Sequence, residues 1–149
     1  MTRRSALMLS AGLVVTAALS FSACKEVESE TAAGYEPATL EPVKGRGDDY
    51  KRVKFTQEGA DRIAVRTATV RASGGQTVLP YESLIYNDEA KTFVYTSTKA
   101  LEYERVPVTV DRIEGKRVLV SKGPAAGTEV VTVGATEVYG TELEIAGSH

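Results

Sequence analysis

Cysteine, histidine and methionine are scarce in this sequence, and each scarcity excludes a class of site. The single cysteine, Cys24, excludes a disulfide within the chain. The single histidine is His149, and a fraying terminus does not hold the ordered base that a serine, histidine and acid triad needs. Both methionines, Met1 and Met8, lie in the N-terminal segment, so clustered soft ligands for zinc or copper are missing. We therefore predict a protein that is not an enzyme and holds no metal or cofactor.

Basic residues are also too few for a nucleic-acid-binding protein. The chain has 18 Lys and Arg against 20 Asp and Glu. Loss of the first 23 residues would remove Arg3 and Arg4, which leaves 16 basic against 20 acidic residues and a net charge of −4. Nucleic-acid binding depends on basic side chains that neutralise phosphates. The charge balance therefore predicts no nucleic-acid partner.

The longest apolar stretch is too short to be an ordinary membrane span. It runs from Ala6 to Phe21, sixteen residues, where a spanning helix needs roughly twenty. Arg3 and Arg4 precede it and small residues follow, which is the layout of a cleaved export signal. We therefore predict a signal peptide at residues 1–23.

The end of this stretch, Ser22-Ala23-Cys24, resembles a bacterial lipobox, with Phe21 where leucine is usual. The resemblance implies cleavage before Cys24 and acylation of its sulfur, for example with palmitate. Several acyl chains together hold a protein at a membrane far longer than one chain does. We predict a lipid-anchored protein on the extracytoplasmic face of the cell membrane. A free thiol in an uncleaved anchor and plain secretion remain alternatives, and the Sec and twin-arginine export routes stay open.

The residues after Cys24 divide into a tether and one folded domain. Residues 24–36 are polar, with four glutamates and little to bury, which predicts a flexible tether. Chain statistics for a dozen such residues give a root-mean-square span of about 20 Å. We expect a β domain at residues 37–146 and a disordered tail at residues 147–149.

From Ala38 onward the sequence indicates an all-β fold. Short segments rich in Val, Thr, Tyr and Ile are separated by Gly, Pro, Asn and Asp roughly every ten residues. We predict strands at 38–43, 51–55, 65–71, 77–79, 92–96, 102–110, 117–121 and 129–133. Alternation places Val106, Val108 and Val110 on one core-facing side, and likewise Val118 and Val120. A small barrel and a sandwich both fit this pattern.

Three local features refine the prediction. Residues 56–63 are expected to form one short helix with Thr56 as N-cap. Pro107 cannot donate a ladder hydrogen bond, so its strand is expected at an edge or with the proline nitrogen facing solvent. Turns are expected at residues 73–75, 87–88, 114–115 and 123–124.

Several polar and aromatic residues are candidates for surface roles. Carboxylate pairs, Asp48 with Asp49 and Glu142 with Glu144, are interpreted as solvated surface. Arg52 and Lys54 are expected to point outward, where they could face anionic lipid, an acidic partner or only water. Five tyrosines are expected to be exposed, and interface and half-buried strand positions both suit them: Tyr81, Tyr86, Tyr95, Tyr103 and Tyr139.

Three segments of the chain resemble periplasmic adaptor subunits, or membrane fusion proteins, of resistance-nodulation-division efflux systems. Residues 54–58 and 63–70 are similar to one adaptor segment, and Val78-Leu79-Pro80-Tyr81-Glu82-Ser83-Leu84-Ile85 resembles the adaptor strand entry. Residues 123–134 resemble the glycine- and valine-rich close of the membrane-proximal domain, with Pro124 in place of leucine. Whole adaptors also carry a lipoyl-like domain and a long helical hairpin, whereas here residues 73–76 join the two halves directly.

The resemblance implies a reduced adaptor, limited to the barrel and membrane-proximal part. It predicts a noncatalytic module that binds a protein partner, with an export or efflux permease of the inner membrane as the expected class. Partner identity, transported substrate and oligomeric state stay open. A small-ligand-binding or sensing lipoprotein with a pocket at a barrel mouth, and a structural envelope protein, are the alternatives.

Overall fold

The computed structural model describes residues 36–46 and 50–147, which form eleven strands and two α-helices. The helices are α1 (Gln57–Ile63) and α2 (Ala135–Gly147), and a 3-10 turn spans Tyr81–Ser83. The strands are β1 (Ala38–Pro42), β2 (Lys51–Phe55), β3 (Arg66–Thr69), β4 (Arg71–Ser73), β5 (Gln76–Pro80), β6 (Ile85–Tyr86), β7 (Thr92–Lys99), β8 (Glu102–Pro107), β9 (Thr109–Glu114), β10 (Arg117–Lys122) and β11 (Glu129–Val133).

The strands form two antiparallel sheets. The seven-stranded sheet has the order β1-β2-β8-β7-β11-β3, with β6 also paired to β7, and the four-stranded sheet has the order β4-β5-β10-β9. The predicted mainly β fold is confirmed. The two sheets do not close into a barrel, so of the two predicted architectures the sandwich is the one formed.

The seven-stranded sheet is covered on both faces. Along β7, Phe93 and Tyr95 point to one side and Val94 to the other, and all three are buried. The first core includes Phe93 and Tyr95 together with Ala60 of α1 and Val138 of α2. The second core lies between the sheets and consists of Val70, Leu79, Leu84, Val94, Val108, Val118, Val120 and Val130. The molecule therefore has three layers, which are helices, large sheet and small sheet.

The valines predicted for the core all belong to the second one. Val108, Val118 and Val120 are buried, and Val106 and Val110 pack against them while partly exposed. The single strand predicted over residues 102–110 is instead two strands, β8 and β9, that belong to different sheets. The chain changes sheet at buried Val108, directly after Pro107.

Of the two positions predicted for Pro107, the edge strand is not the one observed. Strand β8 lies between β2 and β7. Its pairing with β2 covers only Glu102 to Glu104, however, so Pro107 lies beyond that partner. Val108 N donates to Thr92 O at 3.0 Å, which leaves the Pro107 nitrogen on the side away from β7. The missing N–H thus falls where no ladder bond is needed.

Helix α1 forms as predicted, and its glycine has a packing reason. Thr56 is the N-cap, and its side chain accepts a hydrogen bond from Gly59 N at 3.0 Å. A Cβ atom at Gly59 would lie 2.3 Å from Pro37 O, so only glycine lets α1 approach the start of β1 this closely. The predicted turn at residues 73–75 is also confirmed, with Gly74 and Gly75 both at positive φ between β4 and β5.

Helix α2 was not predicted. Its buried or half-buried positions, Ala135, Val138, Tyr139, Glu142 and Ile145, recur every three or four residues. The stripe was obscured because one of its members is a glutamate and because Gly140, a poor helix former, lies in the middle of the segment. The predicted tail at residues 147–149 is corrected in part, since α2 continues to Gly147; the last two residues lie outside the described part of the chain.

Candidate functional site

Several predicted features lie outside the described residues. They are the signal peptide, the lipidation site Cys24, most of the tether, the pair Asp48 and Asp49, and His149. Acylation of Cys24 therefore stays a prediction. None of the described helices is long and apolar enough to cross a bilayer.

A buried polar cluster lies where α2 packs on the seven-stranded sheet. The Tyr95 hydroxyl donates to Glu142 Oε2, and Arg105 Nη2 lies 3.1 Å from Glu142 Oε1. Glu142 is only 4% exposed, so its interpretation as solvated surface is wrong. An ionised carboxylate can be buried here because a guanidinium and a hydroxyl both contact it. We call Tyr95, Arg105 and Glu142 the buried triplet.

Aromatic rings surround the buried triplet. The Arg105 guanidinium lies 5.4 Å from the Phe93 ring centroid, and Phe93 makes edge contacts with Tyr95 and Tyr139 at 5.8 and 5.1 Å. Burial, and then the negative charge of Glu142, raise the pKa of Tyr95 far above its usual value. Tyr95 is therefore a neutral hydrogen-bond donor at physiological pH, and the triplet joins α2 to strands β7 and β8.

A cleft of about 460 Å³ opens beside Arg105. We call it the Arg105 cleft; it is lined by Tyr50, Asn87, Glu89, Lys91, Thr92, Phe93, Arg105 and Pro107. Its cations already have acidic partners, because Lys91 lies 2.5 Å from Glu89 and Arg105 contacts Glu142. The hydrogen bond from Lys91 lowers the pKa of Glu89, which keeps that carboxylate ionised.

A second arginine, Arg52, is surrounded by three carboxylates. Its guanidinium nitrogens lie 2.5 Å from Glu104, 3.6 Å from Glu102 and 3.8 Å from Glu41. The hydrogen bond to Glu104 raises the pKa of Arg52, so its charge is permanent. The predicted outward direction of Arg52 is confirmed, since Val53 and Phe55 are the buried residues of β2. Its charge is balanced within the protein, which leaves little for anionic lipid.

The exposed-tyrosine prediction is correct for two residues and wrong for two. Tyr81 and Tyr86 are 45% and 51% exposed. Tyr95 and Tyr103 are buried in the first core, because the helix layer covers a face that was expected to meet solvent. Tyr139 lies on the unpredicted α2 and is half-buried.

Strand β9 is an uncovered edge. It is the last strand of the four-stranded sheet and, in the part of the chain that the structure describes, pairs with β10 alone. Five of its residues are exposed and one is half-buried. Ile113 lies opposite buried Val118 of β10 and is itself 45% exposed. Ile113 therefore lies on the core-facing side of the four-stranded sheet but beyond the region that the seven-stranded sheet covers.

Over residues 36–46 and 50–147, no group of three or more His, Cys, Asp or Glu side chains is arranged to hold a metal ion. Comparison with known proteins adds no identification: no family model, curated protein or solved structure matches the chain. The resemblance to efflux adaptors therefore remains a prediction from the sequence segments alone.

Proposed function

We propose that this chain is a noncatalytic lipoprotein, held by acylated Cys24 at the extracytoplasmic face of the cell membrane, that binds a protein partner there. The adaptor resemblance supports an export or efflux permease of the same membrane as the partner class. The lipobox-like Ser22-Ala23-Cys24 supports the anchor.

The observation that carries partner binding is the open edge of β9. One side of this strand pairs with β10, and within the described residues no strand pairs with the other side. Such an edge can accept an extended segment of another protein as an added strand. Exposed Ile113 supplies an apolar contact beside it. A partner segment would thus gain main-chain hydrogen bonds from β9 and side-chain contact from Ile113.

Site-specific photocrosslinking in cells tests this assignment. A photoreactive amino acid at Ile113 should form one discrete adduct with an integral membrane protein. The matched control is Leu143 on α2, which is 52% exposed but lies on the helix side of the larger sheet, and no such adduct is expected there. Equal adducts at both positions, or none at Ile113, would contradict partner binding at β9.

The anchor has its own test. Cys24→Ser should abolish labelling by radioactive palmitate and leave the precursor unprocessed by lipoprotein signal peptidase. Normal maturation of the variant, or wild-type protein without label, would contradict the lipid anchor.

The Arg105 cleft favours a second candidate function, a ligand-binding lipoprotein. Its volume of about 460 Å³ lies within the roughly 300–1,000 Å³ of small-molecule sites. It opens at the ends of β7 and β8 and not at a barrel mouth, because the sheets do not close. A ligand that raises the melting temperature of the wild type but not of Lys91→Ala would support this candidate over partner binding.

A further inference from the structure

Besides the Arg105 cleft and a cleft around Arg52, which Glu41 and Glu104 also line, a cleft lies on the four-stranded sheet and has a different charge pattern. It measures about 280 Å³, and its lining includes Arg71, Lys116 and Arg117 with Val78 and Pro80. We call it the cationic cleft. Among residues 36–46 and 50–147, no carboxylate lines it, whereas glutamates line both the Arg105 cleft and the cleft around Arg52.

The strand register explains why two arginines meet here. Arg71 of β4 lies opposite Val78, and Arg117 of β10 lies opposite Pro80, both on β5. Val78 and Pro80 are two residues apart and share the face that points away from buried Leu79. Strand spacings place the two arginine Cα atoms about 12 Å apart on that face. Two long side chains can reach one ligand from opposite sides of β5.

The arginines of the cationic cleft form no ion pair with other residues that the structure describes. Over residues 36–46 and 50–147, neither Arg71 nor Arg117 forms an ion pair, and both are exposed. Lys116 lies 3.9 Å from Glu82, but the Lys116 side chain is 91% exposed and such a pair is weak. Glu129 contacts the cleft only through Thr69, whose hydroxyl donates to it at 2.5 Å. Among the described residues, the charges of Arg71 and Arg117 are thus not balanced by an ion pair.

We propose that the cationic cleft binds the phosphate group of an anionic lipid headgroup. Guanidinium groups bind phosphate oxygens in paired hydrogen bonds, and an ammonium group adds charge. The choice of lipid as the source of the phosphate rests on the proposed function, because an anchor at Cys24 with a tether spanning about 20 Å keeps the sheet near the bilayer. One lipid modification and a basic patch together give firmer membrane binding than either alone. If this face contacts the headgroups, the sheet lies parallel to the membrane surface. The β9 edge then points sideways along that surface, where a membrane protein can reach it.

The test uses residues 34–149, which form one compact unit containing both cores. This fragment lacks Cys24, so an acyl chain cannot contribute to its membrane binding. Its binding is measured by co-sedimentation with vesicles of phosphatidylcholine, with and without phosphatidylglycerol. We expect binding only to the anionic vesicles, weakened by added salt. Arg71→Gln with Arg117→Gln should reduce it about thirty-fold, since each basic residue near an anionic surface contributes roughly a five-fold factor.

Arg112→Gln is the matched control. Arg71 and Arg112 lie at opposite ends of one row across the sheet, beside buried Val78 and Leu119, so both substitutions remove similar packing. Only Arg112 is ion-paired, at 2.6 Å from Glu114. We expect its vesicle binding to stay within twofold of wild type, and all variants to keep the wild-type thermal melt.

Four outcomes would overturn the proposal. They are no binding to anionic vesicles, an equal loss in Arg112→Gln, binding of inorganic phosphate without binding of vesicles, and preferential binding of poly-glutamate, which would indicate an acidic protein surface. These results are independent of the palmitate test, so failure of the cleft and failure of the anchor are distinguishable.

Discussion

The face of the seven-stranded sheet under the helices is packed with aromatic residues, whereas the face under the second sheet is packed with aliphatic ones. Phe55, Phe93, Tyr95 and Tyr103 lie in the first core, and the second core contains only valine and leucine. The helix face also holds the buried carboxylate of Glu142. The sheet-to-sheet contact therefore depends on apolar area and fit, while the position of α2 is also specified by polar groups that must meet.

The largest effect is expected from a cavity in the aliphatic core. Leu79 is fully buried between the sheets, so Leu79→Ala should lower the free energy of unfolding by about 3.5 kcal/mol. Urea denaturation measures this loss, which should not vary with salt because no charge is involved. A loss below about 1 kcal/mol, outside the usual cost of such a cavity, would show that the two sheets pack loosely.

The helix face should respond almost as strongly to loss of its carboxylate. Glu142→Ala removes the acceptor of the Tyr95 hydroxyl and the partner of Arg105, and we expect a loss of about 3 kcal/mol. Glu144→Ala, an exposed change on the same helix, should stay within about 0.5 kcal/mol of wild type.

Hydrogen exchange can show whether the buried triplet positions α2. Faster amide exchange confined to α2 in Glu142→Ala is the expected result. Uniform acceleration across both sheets would indicate that Glu142 contributes only to global stability.

Substitution of one glycine in each helix tests how closely that helix is packed at the glycine position. Gly59→Ala should destabilise by about 2 kcal/mol, because the added Cβ would meet Pro37 O at 2.3 Å. Gly140→Ala on α2 meets no atom within 4 Å and should stabilise by up to about 1 kcal/mol through helix propensity. Thermal melts of both variants check the signs, and a Gly59→Ala variant as stable as the wild type would contradict the packing described for α1.

The smallest expected effect is a pH dependence of the free energy of unfolding. It comes from the helix-covered face of the seven-stranded sheet, because the described residues of the aliphatic core between the sheets include no titratable group. Because the pKa of Tyr95 is raised on folding, the folded state retains a proton that the unfolded state loses above about pH 10. Its stabilising contribution is complete below that pH and falls as pH rises, by about 1.4 kcal/mol per pH unit.

Tyr95→Phe should cost about 1 kcal/mol at neutral pH and remove this part of the alkaline slope. Urea midpoints from pH 9 to 11 measure it. Tyr103, whose pKa burial also raises, supplies a second part that the variant should keep. An unchanged slope in Tyr95→Phe would contradict the burial of the Tyr95 hydroxyl.

Local sequence patterns predicted most elements but not their assignment to sheets. The alternation of Val118 and Val120, the Thr56 cap and the glycine turn at residues 73–75 each act over a few neighbouring residues, and all are confirmed. The split of residues 102–110 between two sheets was missed because each half belongs to a hairpin, β7-β8 or β9-β10, and only pairing with a distant strand assigns the hairpin to a sheet. These distant strands are β2 for β8 and β5 for β10.

The candidate sites were less predictable than the fold. Glu142 reads as surface in the sequence, and only packing against Tyr95 and Arg105, residues from two different strands, shows that it is buried. The sequence alone does not distinguish Arg52, Arg71 and Arg117 from one another. Their electrostatic surroundings differ in the folded protein, because glutamates surround Arg52 and none of the described residues that line the cationic cleft is a glutamate.

Composition and short-range pattern thus determined that this chain is mainly β and valine-rich, because strand alternation and turn chemistry are properties of adjacent residues. Tertiary structure alone decided that the sheets stack as a sandwich under a helix, that a glutamate is buried, and that Arg71 and Arg117 form no ion pair within the described part of the chain. Those outcomes depend on which distant side chains meet, and the free energy of a charge is set by the groups that surround it in space.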